Sequence, residues 1–243
     1  TLLNVVAVVV GSALGVAIGH RLPQRTRDVV TDALGLVTLL IAALSAVAVL
    51  DADFAATVGE SATVLVVLGA LLIGGITGSI LRIEARLEGV GAMVQRRLSR
   101  GSDSETRRRF VEGFVSASLL FCVGPLTILG SLSDGMGEGY DQLALKSVLD
   151  GFAAIAFAAS LGWGVMASAL AVLVVQGSLT VVGLLLGNLL GDGYIAAITA
   201  TGGLLLVGVS LRLLRIKPLP VGDLLPALVV APLLVSIVAA LRP

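Results

Sequence analysis

EGFVSASLLFCVGPLTILG, residues 112–130, is echoed 38 residues further along the chain by DGFAAIAFAASLGWG, residues 150–164. Each stretch opens with an acidic residue followed by Gly-Phe. Each then reaches a glycine at the same distance from its acid, Gly124 after Glu112 and Gly162 after Asp150. Since the residues between these points are mostly apolar, two apolar helices are predicted, each beginning at a carboxylate and breaking at a glycine.

The residues at both predicted breaks disfavour a continuous helix. Pro125 has no backbone N–H and follows Gly124, while Gly162 and Gly164 place weak helix formers on either side of Trp163. Unpaired backbone inside a bilayer is tolerated where it lines a cavity, and helix ends there offer partial charges to an ion. Interrupted helices that carry carboxylates resemble the substrate region of a transporter; kinks satisfied by neighbouring helices are the alternative.

The composition places the whole chain in a membrane. Hydrophobic residues make up 57% and charged residues 13% of the 243 positions, and long apolar runs recur along the length. Only helices and closed barrels satisfy their backbone in hydrocarbon, and no run alternates apolar with polar residues as a barrel strand does. The predicted fold class is therefore an all-α polytopic membrane protein.

Eight transmembrane helices are predicted. The first has no basic segment before it and no A-x-A site after it, so we expect a retained helix and not a cleaved signal peptide. The fifth and sixth spans meet somewhere between Gly164 and Gln176. The spans are residues 2–19, 33–50, 61–81, 110–130, one that starts near Lys146, one that ends before Asp192, 195–214 and 222–241.

The connections between the spans sort by charge. Fourteen of the sixteen Lys and Arg residues fall in three loops, residues 20–32, 82–109 and 212–223. The acidic connections are residues 51–60, 131–145 and the turn at Asp192. Eight spans with both termini outside place every basic loop in the cytoplasm and every acidic one outside, whereas seven or nine spans break this agreement.

The segment 82–109 is predicted to form an amphipathic helix on the cytoplasmic membrane surface. Its apolar residues recur at helical spacing while its arginines take the other side. Because this basic segment lies between spans, lipid headgroups and not nucleic acid are the expected partner. The apolar residues are Ile83, Leu87, Val90, Val94 and Leu98, and the arginines are Arg82, Arg86, Arg96 and Arg97.

A second internal similarity has an offset of 168 residues: Gly15, Gly19 and Gly35 match Gly183, Gly187 and Gly203. Both similarities relate segments that run in opposite directions across the predicted bilayer, which is the inverted symmetry of many transporters. Coincidence in glycine-rich sequence is the alternative. The predicted organisation of residues 1–243 is a single transmembrane domain with three-helix units at 1–81 and 165–243, around the surface segment 82–109 and a central pair of interrupted helices at 110–164.

Glu112 and Asp150 are candidate gate or coupling groups that bind a proton or a cation, because a carboxylate at membrane depth is costly unless it is paired, hydrated or protonated. Each has a structural alternative. Glu112 lies three residues after Arg109 and can pair with Arg108 or Arg109 at the interface. Asp150 lies four residues after Lys146, which is the spacing of a helical ion pair, so the two can pair locally at the outer membrane surface.

Other polar groups complete the predicted substrate or ion pathway, although single hydroxyls and amides are common in membrane bundles. Asn4, at the mouth of the first span, is expected to cap the helix or else to contact a substrate, with capping favoured. Trp163 is more often an interfacial anchor than a cation-binding face. The predicted pathway residues are Glu112, Gly124, Pro125, Thr127, Asp150, Ser160, Gly162, Trp163, Gly164 and Gln176.

No enzyme, cofactor or metal is predicted. Cys122 and His20 are the single cysteine and histidine, and there is no P-loop, no GxSxG motif and no metal-ligand spacing. Glycine-rich helix faces are predicted to pack helices, either within one subunit or between the copies of a homo-oligomer. These faces are Gly11/Gly15/Gly19, Gly74/Gly78 and Gly183/Gly187/Gly191.

Several blocks of sequence resemble those of a known family. They are Phe121-Cys122-Val123-Gly124-Pro125, Ile128-Leu129-Gly130-Ser131, Lys146-Ser147-Val148-Leu149-Asp150-Gly151, Gln176-Gly177, Thr201-Gly202-Gly203 and Leu225-Pro226-Ala227-Leu228. As a set they resemble the YqgA/YdfK-like bacterial integral membrane proteins, the domain of unknown function 554, from Asn4 to the C-terminus. The resemblance implies a bacterial plasma membrane and a loose link to transport, and it supplies no substrate and no site residues.

Two functions are open at this point. The first is a transporter or channel-like protein that moves an ion or small polar solute through the interrupted central helices. The second is a non-transporting scaffold or sensor that acts through the cytoplasmic segment 82–109. A hydrated site at the central helices favours the first, and a dry, fully packed interior favours the second.

Overall fold

The computed structural model of the protein describes residues 1–86, 89, 104–122, 125–137, 139–186 and 191–241. Across these ranges the chain forms helices joined by turns, with no strand. The α-helices are α1 (Leu2–Gly19), α2 (Gln24–Ala46), α3 (Ala52–Val58), α4 (Thr63–Leu81), α5 (Ser104–Cys122), α6 (Pro125–Met136), α7 (Asp141–Leu161), α8 (Gly164–Leu186), α9 (Asp192–Leu213) and α10 (Ala227–Leu241). Residues 83–86 are also helical, and short 3-10 helices lie at Val47–Leu50 and Val221–Leu224.

Seven helical segments in the described part of the chain are long and apolar enough to cross a membrane. The protein is therefore an all-helical membrane protein, as predicted, although eight spans were expected. The expected span 110–130 falls on α5, which carries Arg107–Arg109 and Glu112, and on α6, which has 12 residues; residues 123–124 between them are outside the described ranges. The seven are Leu2–Gly19, Gln24–Leu50, Thr63–Leu81, Asp141–Leu161, Gly164–Leu185, Asp192–Leu213 and Val221–Leu241.

Large apolar side chains are exposed along these segments, as expected for surfaces that face lipid. Contact between so much apolar surface and water is unfavourable, and soluble proteins rarely expose an apolar surface of this extent. Examples on four different helices are Leu2, Leu36, Leu65, Ile80 and Leu184, each at least 60% exposed.

The interruption predicted at Gly162 is instead the turn between two long helices. α7 begins at Asp141, well before the acid that opens the apolar run, so that by Leu161 it already has 21 residues, enough to cross a bilayer. Gly162 ends α7 with φ of 80°, a conformation that suits glycine, and α8 begins at Gly164. The boundary between these spans therefore precedes the interval predicted for it, and α8 continues through Gln176 without a break.

Two predicted loops are partly helical. α2 begins at Gln24 and not at Ala33, because Pro23 favours the start of a helix and polar residues can continue one outside hydrocarbon. The acidic loop 51–60 contains α3, whose first turn is capped by the Asp51 carboxylate accepting from the N–H groups of Asp53 and Phe54.

Some predictions fall on residues outside the described ranges. These are Gly124, most of the amphipathic segment 82–109, and Gly187 of the second internal similarity, together with Asn188. The inverted repeats and the surface helix therefore stay predictions.

The chain divides into two compact units that are each discontinuous in sequence. Unit 1 contains residues 1–36, 86–122 and 126–187, and unit 2 contains residues 37–85, 123–125 and 188–243. The division predicted from the sequence, 1–81, 82–109, 110–164 and 165–243, follows the order of the chain and stays a prediction.

Glycines of α1 let the backbone of α7 approach closely in unit 1. A Cβ on Gly11 would lie 2.3 Å from the carbonyl oxygen of Gly151, and one on Gly15 would lie 2.3 Å from that of Ile155. The numbers of the contacting residues increase along both helices, from Gly11 with Gly151 to Gly15 with Ile155, so α1 and α7 are parallel. This glycine face is thus occupied within the chain, and a homo-oligomer, which stays a prediction, needs another face.

α5 and α6 run opposite to α7 in the same unit. Gly113 of α5 packs against Leu161 at the end of α7, whereas Gly130 of α6 packs against Leu143 near its start. The helices that carry Glu112 and Asp150 therefore have opposite directions, as the sequence predicted.

Unit 2 packs around Phe54 and the small residues of α4, α9 and α10. An ion pair between Glu84 and Arg212 closes one end of it. The second carboxylate oxygen of Glu84 accepts from the N–H of Gly222 at 2.6 Å, and the N–H of Glu84 donates to Asp223 Oδ1 at 2.8 Å. These contacts fix the turn between α9 and α10 against the end of α4.

Charged connections group by sign within each unit. In unit 2 the basic connection 212–223 meets residue 84 at one end, and Gly193 contacts Asp53 and Thr57 in the acidic region at the other. In unit 1, Arg109 donates to Gln24 at the basic end. This grouping agrees with the charge asymmetry on which the orientation was predicted.

Candidate functional site

The strongest candidate site in the described chain is an ion pair buried inside unit 1. Lys146 and Asp150 lie one turn apart on α7, and Lys146 Nζ is 3.0 Å from Asp150 Oδ1 and 2.8 Å from Oδ2. Their side chains are only 8% and 9% exposed. The ion-pair alternative predicted for Asp150 is therefore confirmed, but the pair is enclosed by the protein.

Asn4 completes this group from α1. Its Nδ2 donates to Asp150 Oδ2 at 2.8 Å, and the residue is completely buried. The close approach of α1 and α7 at their glycines brings the amide within reach, since Gly151 packs against Ala7 one turn further along α1. The capping role favoured for Asn4 is wrong, because its amide donates across to another helix.

The arrangement neutralises the charge of Asp150 locally. Removing a carboxylate and an ammonium from water costs several kcal/mol each, in order of magnitude, and mutual attraction with good hydrogen-bond geometry offsets this cost. A pair of apolar side chains would fill the same volume at no such cost. Charged groups within spanning segments commonly mark ion or substrate pathways, so the pair is a functional candidate and not only a structural one.

Gln176 of α8 adds a buried amide at the same level of unit 1. It is 0% exposed, and neither its Oε1 nor its Nε2 has a hydrogen-bond partner among the described residues. The hydroxyls of Thr1 and Thr180 are 2.7 Å apart and set the register of α1 against α8. Gln176 lies one turn before Thr180, and Asn4 lies about one turn after Thr1.

α5 and α6 pass along the part of α7 that carries the ion pair. Gly113 of α5 lies against Leu161 and Gly130 of α6 lies against Leu143, and Asp150 is between these two contacts on α7. α6 begins at Pro125, where proline suits the first turn of a helix. The ion pair therefore lies on the part of α7 that is between the contacts with α5 and with α6.

Several predicted pathway residues lie elsewhere in the unit. Ser160 shares a hydrogen bond with Thr31, and both are buried. Ten residues of α7 separate Ser160 from Asp150, which corresponds to about 15 Å along the helix axis. The structure therefore separates the Gly162 end of α7 from the ion pair and does not bring them into one site.

The turn after α7 has its own structural explanation. Trp163 is 54% exposed, as expected of an interfacial anchor. Gly164 is required for packing, since a Cβ there would lie 2.0 Å from the carbonyl oxygen of Phe110. The Gly162 carbonyl accepts from the N–H of Val165 at 3.2 Å, and the Gly162 N–H donates to the carbonyl of Ala158 at 2.9 Å, so both backbone groups of this glycine are paired within the protein.

The remaining predicted pathway residues to be located are Glu112, Thr127 and Gly124. Glu112 is partly buried on α5, and Thr127 is buried on α6 with its hydroxyl donating to the carbonyl of Phe121 at 3.2 Å. Gly124 is outside the described residues. In the described ranges, no group of three or more His, Cys, Asp and Glu side chains is placed to hold a metal ion.

Sequence reasoning missed the contribution of Asn4 and underestimated Lys146. The spacing of Lys146 and Asp150 was visible, but their burial depends on how α1 packs. One available signal was that Asn4 is the only amide in the mostly apolar first span. Ser12, whose buried hydroxyl also lacks a partner among the described residues, lies on the same face two turns further on.

Comparison with known proteins identifies the family of the chain. A family model described as "Protein of unknown function (DUF554)" matches residues 1–236. The uncharacterized protein YqgA of Escherichia coli (strain K12) is 31% identical over 229 residues, covering 94% of this chain and 92% of the relative. The uncharacterized membrane protein YdfK of Bacillus subtilis (strain 168) is 28% identical over 240 residues, covering 99% and 96%. No solved structure matches the chain.

The ion pair predicts an asymmetry between single and double substitutions. Lys146→Met leaves the Asp150 carboxylate buried without its partner, so we expect it to lower the free energy of unfolding by roughly 3–5 kcal/mol. Adding Asp150→Asn removes the unpaired charge and keeps a hydrogen-bonding group for Asn4, so the double variant should regain part of the loss. Thermal unfolding of the purified proteins in detergent measures both. A double variant no more stable than Lys146→Met would contradict a buried ion pair.

Proposed function

Given that this chain belongs to the DUF554 family and is an integral membrane protein, we propose that it is a transporter or channel-like protein that moves an ion or a small polar solute. The observation that supports this most is the Lys146–Asp150 pair, held by Asn4 inside the spanning helices of unit 1. Such a group contributes little to stability compared with apolar packing, and it offers charge and hydrogen bonds to a passing ligand.

The pair of helices α5 and α6 supports the same function. The two helices pack along α8 one after the other. Phe110 of α5 contacts Gly164 near the start of α8, and Gly135 of α6 contacts Thr180 near the end of α8. We interpret α5 and α6 together as one crossing, the fourth in chain order, which brings the total to eight. Backbone that leaves a helix at membrane depth is tolerated where it lines a polar space, and Asp150 lies on α7 between the contacts made by Gly113 and Gly130.

The proposed location is the plasma membrane of a bacterium, with both termini outside. Bacterial relatives and the grouping of basic connections at one end of each unit support this proposal. In this orientation the acidic region around α3 lies outside the cytoplasm.

Cysteine labelling tests this orientation. In a Cys122→Ser background, Ala52→Cys should react with a membrane-impermeant thiol reagent on intact cells, because the residue is exposed at the acidic end. Lys217→Cys, exposed in the basic connection between α9 and α10, should react only after permeabilisation. The reverse pattern would place the basic connections outside and contradict the proposed orientation.

Flux through reconstituted protein tests the function itself. Liposomes that contain the purified protein should pass at least one of K⁺, Na⁺, Cl⁻ or a small uncharged polar solute faster than empty liposomes. Asp150→Asn should lower that flux about tenfold or more, because a charged hydrogen bond is worth roughly 1.5–3 kcal/mol.

Asp141→Asn is the matched control, since it makes the same change at an exposed position of the same helix. Its flux should equal that of the unsubstituted protein. Absence of flux for every solute, or equal flux in both variants, would contradict the proposed function.

A further inference from the structure

Three buried amide atoms near the ion pair have no hydrogen-bond partner among the described residues. They are Oδ1 of Asn4 and both Oε1 and Nε2 of Gln176. A buried polar atom without a partner costs roughly 1–3 kcal/mol, so native proteins rarely retain several together unless water or a ligand binds them. These atoms point to a bound species that both donates and accepts hydrogen bonds.

The two amides are on facing helices at the same level. α7 and α8 are joined by the short turn at Gly162 and run in opposite directions, and α1 is parallel to α7, so α1 and α8 are antiparallel. From the contact between Thr1 and Thr180, one turn along α1 leads to Asn4 and one turn back along α8 leads to Gln176. Each amide is on the helix face that carries the threonine contact.

Asp150 fixes the direction in which Asn4 presents its amide. A carboxylate accepts hydrogen bonds and cannot donate them, so the Asn4 Nδ2 group must face Asp150. The Oδ1 atom is then directed away from the ion pair and remains free to accept. The orientation of this amide is therefore set by chemistry and not by an arbitrary assignment of its two ends.

The charge of the site distinguishes between classes of ligand. Lys146 and Asp150 carry opposite charges and are already paired on both carboxylate oxygens, so the formal charge of the group is zero. A lone cation or anion entering this group would lose its hydration without meeting a net countercharge, which is costly in a low-dielectric interior. An uncharged solute meets no such cost and can satisfy the free amide atoms.

We propose that Asn4 and Gln176 bind a small uncharged solute of the amide or urea class, with Lys146 and Asp150 holding Asn4 in position. The solute donates N–H groups to Asn4 Oδ1 and Gln176 Oε1, and its carbonyl oxygen accepts from Gln176 Nε2. This inference rests on the proposed function and narrows its substrate to an uncharged solute, excluding an ion.

Stopped-flow light scattering of proteoliposomes tests the inference with acetamide as the probe. Vesicles shrunk by an external acetamide gradient should reswell faster with the protein than without it, and the increment should fall at least about tenfold in Gln176→Met. Val174→Met, a lipid-exposed position on the same helix, is the control and should leave the increment unchanged. K⁺ and Cl⁻ fluxes into the same vesicles should match those of empty liposomes.

A binding measurement separates loss of the site from loss of the fold. Gln176→Met removes only polar atoms that lack partners, so its thermal unfolding temperature without ligand should be no lower than that of the unsubstituted protein. Acetamide should raise the unfolding temperature of the unsubstituted protein and of Val174→Met more than that of Gln176→Met.

Each contrary result has a distinct meaning. Flux of K⁺ or Cl⁻ that depends on Asp150, without acetamide flux, would overturn this inference and leave the proposed transport function standing. Faster water movement with acetamide excluded would also overturn it, since the amides would then bind water only. Absence of flux for every probe would overturn both.

Discussion

A charge pair enclosed by apolar helices is the constraint on which the rest of unit 1 depends. Lys146 and Asp150 cannot be separated, exposed to hydrocarbon or left with free hydrogen-bonding positions without a large energetic cost. α1 must therefore lie close enough for Asn4 to reach the carboxylate, and its glycines permit that approach to the backbone of α7. The packing of small residues and the polar site are thus two consequences of the same helix contact.

The two units use charged residues differently. In unit 2, Glu84 and Arg212 pair at the end of the helices and together with Gly222 fix a connecting turn, which is an ordinary structural role. In unit 1 the pair is within a spanning helix, and the amide atoms around it are not all satisfied by the described residues. That difference is why unit 1, and not unit 2, is the basis of the proposed function.

Local sequence patterns were sufficient for the class of fold and for one element of the site. Apolar runs identify most spans because each helix must satisfy its own backbone in lipid, and the four-residue spacing identifies the Lys146–Asp150 pair. The start of α7 at Asp141 was not predicted, because a polar first turn outside the apolar run gives no hydropathy signal. Because the predicted helix started too late, Gly162 was interpreted as an interruption part-way along the helix, whereas it is the end of a full-length helix. The role of Asn4 depends on a contact across 146 positions of sequence, which periodicity does not report.

Water access to Gln176 is the most direct test of a wet site within unit 1. In a Cys122→Ser background, Gln176→Cys is exposed in proteoliposomes to a small hydrophilic thiosulfonate, with Val174→Cys on the lipid-exposed side of the same helix as the control. A buried position that lines a polar pathway should react, while the control should remain unmodified because the reagent does not enter hydrocarbon. An unreactive thiol at position 176, or equal reactivity at both positions, would contradict a hydrated pathway and leave a dry, packed bundle.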